Sequence, residues 1–452
     1  MKHFEASGLW YPSDDPDNAV GGTLKFDDDG LYLVLLGSFR PGWSPEAERY
    51  PLVHGVVGDC PYGSFVTLID SFRTTQKFNM VGATSEKLYC HQAAIGNFHL
   101  SDNPITMESL ELDFSYLTDW AGRSGIKVDR RLNETVTYIA TYQKPENVTF
   151  KFADKTLTLG YHFNASQSLH QVTFSEAARL MIEPVDDISP KTVGRDHVRR
   201  LQDLLSFATD TPNEIEEIRY ENAVDVHGEK SEFHLIFKPT FRLKTKKDSR
   251  HWMDMLFTLP ECQSSGIDIF QRWLDFSDKR KDFCEVYFGH TYSIPSFLDD
   301  QFKKMVLALT LLCSTRQEMT EKTRRFLKTV EAAMKTQFDE DERAFLGHLI
   351  PIWGEVEMPI HLHQLLRENL DVTGRVIDDL PAFIRAISDT LNFVDRRERG
   401  DRPPLQGRDL HHAVEKIKLL IKIVVLKELG FGEDKVKTLI DKYLRLVAFR
   451  TM

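Results

Sequence analysis

Up to about residue 185, apolar and polar residues alternate with a period of two, the pattern of strands that bury one face. Gly22–Phe26 (GTLKF), a turn at Asp27–Gly30 and Leu31–Leu36 (LYLVLL) predict a β-hairpin, with Asp-Gly supplying the positive φ that a tight turn needs. Further strands are predicted at Ser64–Ile69, Lys87–Ala94, Leu110–Phe114, Glu134–Tyr142, Val148–Phe152, Thr156–Phe163 and His170–Phe174. A helix at Arg195–Ala208 interrupts them, and strands at Ile215–Tyr220 and Ser231–Lys238 follow. From Pro295 the period becomes that of a helix. Helices are predicted at Phe297–Cys313, Thr320–Lys335, Glu342–Leu349, His361–Glu368, Pro381–Arg397, Leu410–Leu429 and Asp434–Ala448, with Gly430-Phe431-Gly432 stopping the longest of them. The fold class is therefore α+β: an N-terminal β-rich region, either a sandwich or a curved sheet, and a C-terminal all-α bundle. The expected division is 1–260 for the β-rich domain, 261–295 for a helical connector and 296–452 for the helical domain. The aromatic stripe of the connector (Phe270, Trp273, Phe276, Phe283, Tyr287, Phe288) is expected to pack between the two halves.

Charge sharpens this division. Met1 to Pro295 carries about 43 acids and 31 bases, and the remainder about 25 and 26, so the net charge of −11 belongs to the N-terminal part. That part is a poor surface for nonspecific nucleic-acid binding, which depends on neutralising phosphates. The cysteines (Cys60, Cys90, Cys262, Cys284, Cys313) are odd in number and scattered, which argues for reduced thiols and against a disulfide framework or a zinc knuckle. The first residues, MKHFEASGLWYPSDD, carry no secretory pattern. The longest apolar runs, Met305–Cys313 and Leu419–Leu426, fall far short of the roughly 20 residues that span a membrane. A cytoplasmic protein without a membrane segment is expected. No cofactor is expected either: neither a Gly-x-Gly-x-x-Gly nor a Gly-x-x-x-x-Gly-Lys-Ser/Thr loop occurs. Asp27–Gly30 lacks the spaced ligands and closing Glu of a calcium loop.

The segment WYPSDDPDNAVGGTLKFDDDGLYLVLLGSF (Trp10–Phe39) resembles the opening of the ApeA N-terminal domain: an aromatic-Pro step, a Gly-x-Leu strand, an acidic turn and a Leu-rich strand ending in Gly-x-Phe. The likeness continues through His54–Phe72, Leu88–Leu100, Glu108–Ile126 and Leu201–Pro212. The helical stretches Leu380–Arg402 and Leu410–Phe431 resemble the HEPN domain that follows in the same proteins. The resemblance implies an antiphage, abortive-infection role, with a β-rich sensing region and a HEPN helical bundle acting as a metal-independent ribonuclease. It also implies RNA as substrate, a phage-derived trigger, and a homodimer formed through the HEPN domain.

Cutting RNA requires a proton shuttle between the 2′-hydroxyl and the leaving 5′-oxygen, which a histidine supplies, and a charged fork for the phosphate, which an arginine supplies. In HEPN proteins an Arg-Asn step precedes a His by a few residues, just before the last long helix. Here that stretch reads Val394-Asp395-Arg396-Arg397-Glu398-Arg399-Gly400-Asp401-Arg402. Lining up Val-Asp-x-Arg puts Arg397 on the family arginine, Glu398 where Asn is usual and Arg402 where His is expected; shifting by one makes Arg396 the arginine and puts Asp401 at the His position, so in either register the motif is degenerate. The nearest imidazoles are His411 and His412, beyond an inserted PPLQGRD loop. Two other Arg…His spacings, Arg49–His54 and Arg343–His348, stand at the level composition yields by chance.

Three readings stay open. A catalytically inactive domain binds RNA or a partner as a regulatory scaffold. Alternatively, a live site folds His411 or His412 back beside Arg397, with Glu398 available as a base and Arg396, Arg399, Arg402 and Arg408 as phosphate ligands. In the third reading the arginines, interleaved with acids, form a solvated helix end. His411 and His412 lie about 100° apart on the helix, so both cannot face one ligand, and one of them is expected at the edge of the apolar stripe through Leu410, Val414, Ile417, Ile421 and Val424.

Overall fold

The structure is a computed structural model that describes residues 1–40, 48–77, 84–100, 107–132, 136–152, 155–183, 198–222, 231–238, 250–293, 297–313, 374, 377, 379–396 and 403–451. The chain divides into two compact units, Met1–Leu274 and Asp275–Met452.

In the first unit, β1 (Phe4–Pro12), β2 (Val20–Asp27), β3 (Gly30–Leu35), β4 (Arg49–Val57), β5 (Phe65–Lys77) and β6 (Ser85–Gly96) pair antiparallel in the ring β1-β2-β3-β6-β5-β4, and β4 returns to β1. A closed barrel results. β6 is the strand at which it opens outward: residues 86–90 pair with β3, while residues 92–96 pair with β14 (Ser231–Phe237). From β14 the same sheet runs on through β13 (Ile215–Asn222), β7 (Met107–Phe114), β12 (Val172–Glu183), β11 (Lys155–Gln167) and β10 (Val148–Phe152). β8 (Ile126–Leu132) and β9 (Val136–Tyr142) form a separate hairpin. The β-rich expectation therefore stands, but its form is neither two facing sheets nor a simple open curve. One sheet curls and closes at one end.

Trp10 shows why the ring closes on these residues. It is fully buried in the barrel and its indole Nε1 donates to Gly22 O at 3.1 Å. A Cβ at Gly55 would overlap the indole, and one at Gly22 would press against its Cδ1 at 3.2 Å. Two glycines on strands flanking β1 thus make room for the largest side chain, with Phe26, Leu33, Leu68 and Ile95 packed in the same core.

At the outer half of the sheet α1 (Leu117–Ala121) packs against β12, α2 (Arg199–Thr209) and α3 (Leu259–Ser264), and Phe270 of α4 (Ile269–Lys279) meets Phe150 of β10. α2 overlaps the predicted helix Arg195–Ala208, ending one residue later, and is almost wholly buried, including Gln202, whose Nε2 donates to Asn213 O at 2.7 Å. α3 opens with Thr258 and Glu261 in a reciprocal capping box. The aromatic stripe is shared out. Phe270 meets the Trp120 and Phe150 rings, and Trp273 Nε1 donates to Arg200 O, within the first unit. Phe276, Phe283, Tyr287 and Phe288 pack on one another within the second.

Beyond α4, the elements among the second unit's described residues are helices: α5 (Lys281–Thr291), α6 (Leu298–Cys313), α7 (Leu380–Arg396), α8 (Gly407–Glu428) and α9 (Glu433–Thr451). The expected helices Thr320–Lys335, Glu342–Leu349 and His361–Glu368 lie outside the described residues. α8 is the central element, its apolar stripe buried from Leu410 to Leu426. Two polar contacts tie it in place. Arg280 Nη2 lies 2.7 Å from Glu428 Oε1, and the buried Lys422 Nζ donates to Tyr443 Oη of α9 at 2.7 Å. No helix among the described residues is long and apolar enough to cross a membrane.

Candidate functional site

Of the residues singled out from sequence, Arg408, His411 and His412 stand exposed on the first turns of α8. Arg396 is the last residue of α7. Arg397, Glu398, Arg399 and Arg402 lie outside the described residues. Thr390 Oγ1 on α7 accepts from Leu405 N at 3.0 Å, and Lys416 Nζ lies 5.8 Å from the Phe383 ring centroid. The two helices therefore run antiparallel. With a rise of about 1.5 Å per residue, this register sets His411 level with Ala386, roughly 15 Å along the axis from Arg396.

Arg408 and His412 are brought together: Arg408 Nε donates to His412 Nε2 at 3.3 Å, which requires the tautomer that carries its proton on Nδ1. The His411 and His412 rings lie 6.1 Å apart at 52°. Neither packs at the edge of the apolar stripe, contrary to the expectation from sequence. The stripe passes through Leu410, Ala413, Val414 and Ile417, and positions 411 and 412 are turned about 100° and 200° from Leu410. The N-terminus of α8 has no side-chain cap, since Gln406 makes none, and Gly407 enters with φ +53°. Asp409 N donates to Gln406 O at 3.2 Å, and the positive end of the helix dipole lies beside the Arg408 guanidinium, with the Asp409 carboxyl in the same first turn.

Sequence reasoning gave no sign of a second arrangement, on the sheet face opposite the helices. Glu111 of β7 accepts from Arg179 of β12 at 2.7 Å and Arg219 of β13 at 3.3 Å, and His162 of β11 stands 3.6 Å away. Arg219 also reaches Glu217 and Glu232 at 3.2 Å each, and His234 Nδ1 lies 3.1 Å from Glu217. Burial pushes the Glu111 carboxyl above its usual range, against the pull of Arg219 and His162. Both guanidinium groups are already engaged by carboxylates, so this face links β11, β12, β7, β13 and β14 and offers no free fork to a phosphate. Only the alternation of each strand foretold that these side chains share a face.

A third cluster sits at one end of the barrel. Glu86 of β6 is 1% exposed; its Oε2 accepts from Ser38 Oγ at 2.8 Å and Phe39 N at 3.3 Å. Its Oε1 makes no hydrogen bond and lies 4.0 Å from Arg73 Nη1. Arg73 donates to Glu48 at 3.0 Å, as does the Tyr50 hydroxyl. Burial raises the Glu86 carboxyl above its ordinary value of 4.5, outweighing the Ser38 and Phe39 hydrogen bonds and Arg73. A carboxyl that holds its proton more tightly folded than unfolded makes the fold less stable as pH rises through that window. Glu86→Gln, which cannot ionise, is therefore expected to gain stability relative to wild type as pH rises from 4.5 towards neutrality. Urea unfolding across a pH series checks this, and parallel curves for the two proteins would contradict it.

Among the described residues no three His, Cys, Asp or Glu side chains are grouped to hold a metal. A family model described as ApeA N-terminal domain 1 matches residues 5–273. No curated protein and no solved structure matches the chain.

Proposed function

The chain belongs to the ApeA N-terminal domain 1 family, and from that premise we propose that it is an antiphage defence protein whose helical unit is the effector and acts on RNA. Membership in the family points to defence; the RNA-directed step is our reading of the helical unit. The observation that carries it is the N-terminal end of α8, where an uncapped helix start, Arg408 and two exposed imidazoles share one surface. A phosphate is attracted there by the dipole and the guanidinium together. His411, which does not take part in the Arg408 contact, is the proton carrier, and the arginines of the preceding segment, Arg396 and Arg397 among them, add phosphate contacts. The unit is read as a HEPN-type domain that works as a homodimer, with transesterification leaving a 2′,3′-cyclic phosphate.

Purified protein incubated with total RNA in EDTA is expected to yield such ends. His411→Ala should lower the rate by about 10²–10⁴-fold, the worth of a positioned general acid–base. Arg408→Ala should weaken RNA binding and steepen its loss with salt less than wild type does. Intact RNA with every preparation, including one from infected cells, would remove the catalytic reading.

A second reading, a regulatory scaffold that binds RNA or a protein without cutting, is favoured by two distances. His412 is occupied by Arg408, and His411 stands roughly 15 Å along the helix from Arg396 by the rise of about 1.5 Å per residue. Under this reading His411→Ala leaves protection of infected cells unchanged while Arg408→Ala abolishes it.

A further inference from the structure

The hairpin of β11 and β12 outruns the sheet it belongs to. Its strands pair without a bulge from Thr156 opposite Glu183 to Gln167 opposite Val172. β10, however, covers β11 only over residues 155–159, and β7 covers β12 only over residues 180–182. Beyond those points, among the described residues, neither edge has a strand neighbour, and residues 162–167 are all exposed. One face of this arm carries most of its apolar side chains, with Glu176 opposite Phe163 and Gln167 opposite Val172. Phe163 stacks on Tyr142 at 3.8 Å and meets Phe174 at 5.3 Å, while Leu169 at the tip is 90% exposed and Val172 59%.

Edges that are not used are normally guarded by lysine, proline, a bulge or an inward charge. From Thr156 to Ala178 there is no lysine, arginine or proline, and the one acid, Glu176, has its carboxylate held by Gly125 N at 3.1 and 3.3 Å. The arm thus offers nothing to a nucleic-acid phosphate or to a charged peptide. What it does offer is an uncharged row of backbone donors and acceptors, and an identical edge satisfies these fully when two are related by a two-fold axis.

We propose that the β12 edge of this arm joins two copies of the chain, pairing antiparallel about an axis at Phe174. That register sets Phe174 beside its own counterpart and Thr173 across from Ser175 of the partner subunit. It holds the two Glu176 carboxylates away from each other, so no like charges face directly. The contact belongs to the β-rich unit and is independent of any association through the helices.

Sedimentation velocity of the full chain over a concentration series tests this. Phe174→Lys and Val172→Lys are expected to halve the stoichiometry of the wild-type assembly, whatever that is. Leu36→Lys, at a 75% exposed position on the barrel, leaves it unchanged. Far-ultraviolet circular dichroism verifies that each variant is folded. In a second measurement, a nitroxide on Ser175→Cys should add a short inter-chain distance absent from wild type labelled in parallel. A monomeric wild type, unchanged stoichiometry in folded arm variants, equal loss in the Leu36 control, or no added short distance would each overturn the proposal.

Discussion

Trp10→Ala is expected to remove about 3–5 kcal/mol of folding stability, the range for deleting a buried tryptophan. That is a large share of the roughly 5–15 kcal/mol that holds a typical protein together. The indole is fully buried, its N–H is met by Gly22 O, and its neighbours are backbone at Gly22 and Gly55, which cannot collapse into the space it leaves. Loss of the indole hydrogen bond to Gly22 O adds to this. The reciprocal change, Gly55→Ala, puts a methyl group where the ring already sits and should cost about 1–3 kcal/mol by overpacking. Urea unfolding followed by far-ultraviolet circular dichroism reads both. A Trp10→Ala midpoint within error of wild type would mean that the indole does not fill the barrel.

Arg280→Ala is expected to cost the helical unit about 3–5 kcal/mol, because it strands a carboxylate beside the central helix. The two side chains are only 7% and 24% exposed, so water compensates little for the lost partner. Removing both charges with Arg280→Met and Glu428→Leu should restore most of the loss, since a buried pair replaced by apolar groups is often neutral. A thermal double-mutant cycle measures this. Single and double variants of equal stability would show that the pair carries no coupling.

Much of this was legible along the chain and some was not. The β2–β3 hairpin is where period two and Asp-Gly place it, and α8 and α9 lie where period 3.6 and Gly430 place them. β1 and β4 escaped, because Gly8 in one strand, and Pro51 and Gly55 in the other, interrupt the alternation that marks a strand. Gly55 is required there for Trp10 to fit, so the residue that hides the strand is one that builds the barrel. The last nine residues of β12, SEAARLMIE, are mainly strong helix formers, yet they are strand. Continuous pairing with β11 and contact with β7 override its local preference.

The candidate site divides in the same way. The chemistry at the start of α8 is visible in the residue types alone, and the Arg408–His412 contact is an i, i+4 pair within that helix, whereas the exposure of both imidazoles depended on which face of the helix is buried. Glu86 reads as an ordinary surface acid on an alternating strand. It is buried because β6 pairs with β3 and β5 at once and turns that position towards Ser38 and Arg73. The Glu111 face gathers charges from five strands, spread along the chain from Glu111 to His234, that no local window joins.

Local pattern was enough to separate a β-rich half from a helical half and to place hairpins such as β2–β3 and helices such as α8 and α9, because period and turn chemistry act within a few residues. Which strand lies beside which, where the sheet closes and which polar groups lose water depended on pairings between distant segments. Their free energy comes from shared burial and shared hydrogen bonds, and it exists only once the partners have met.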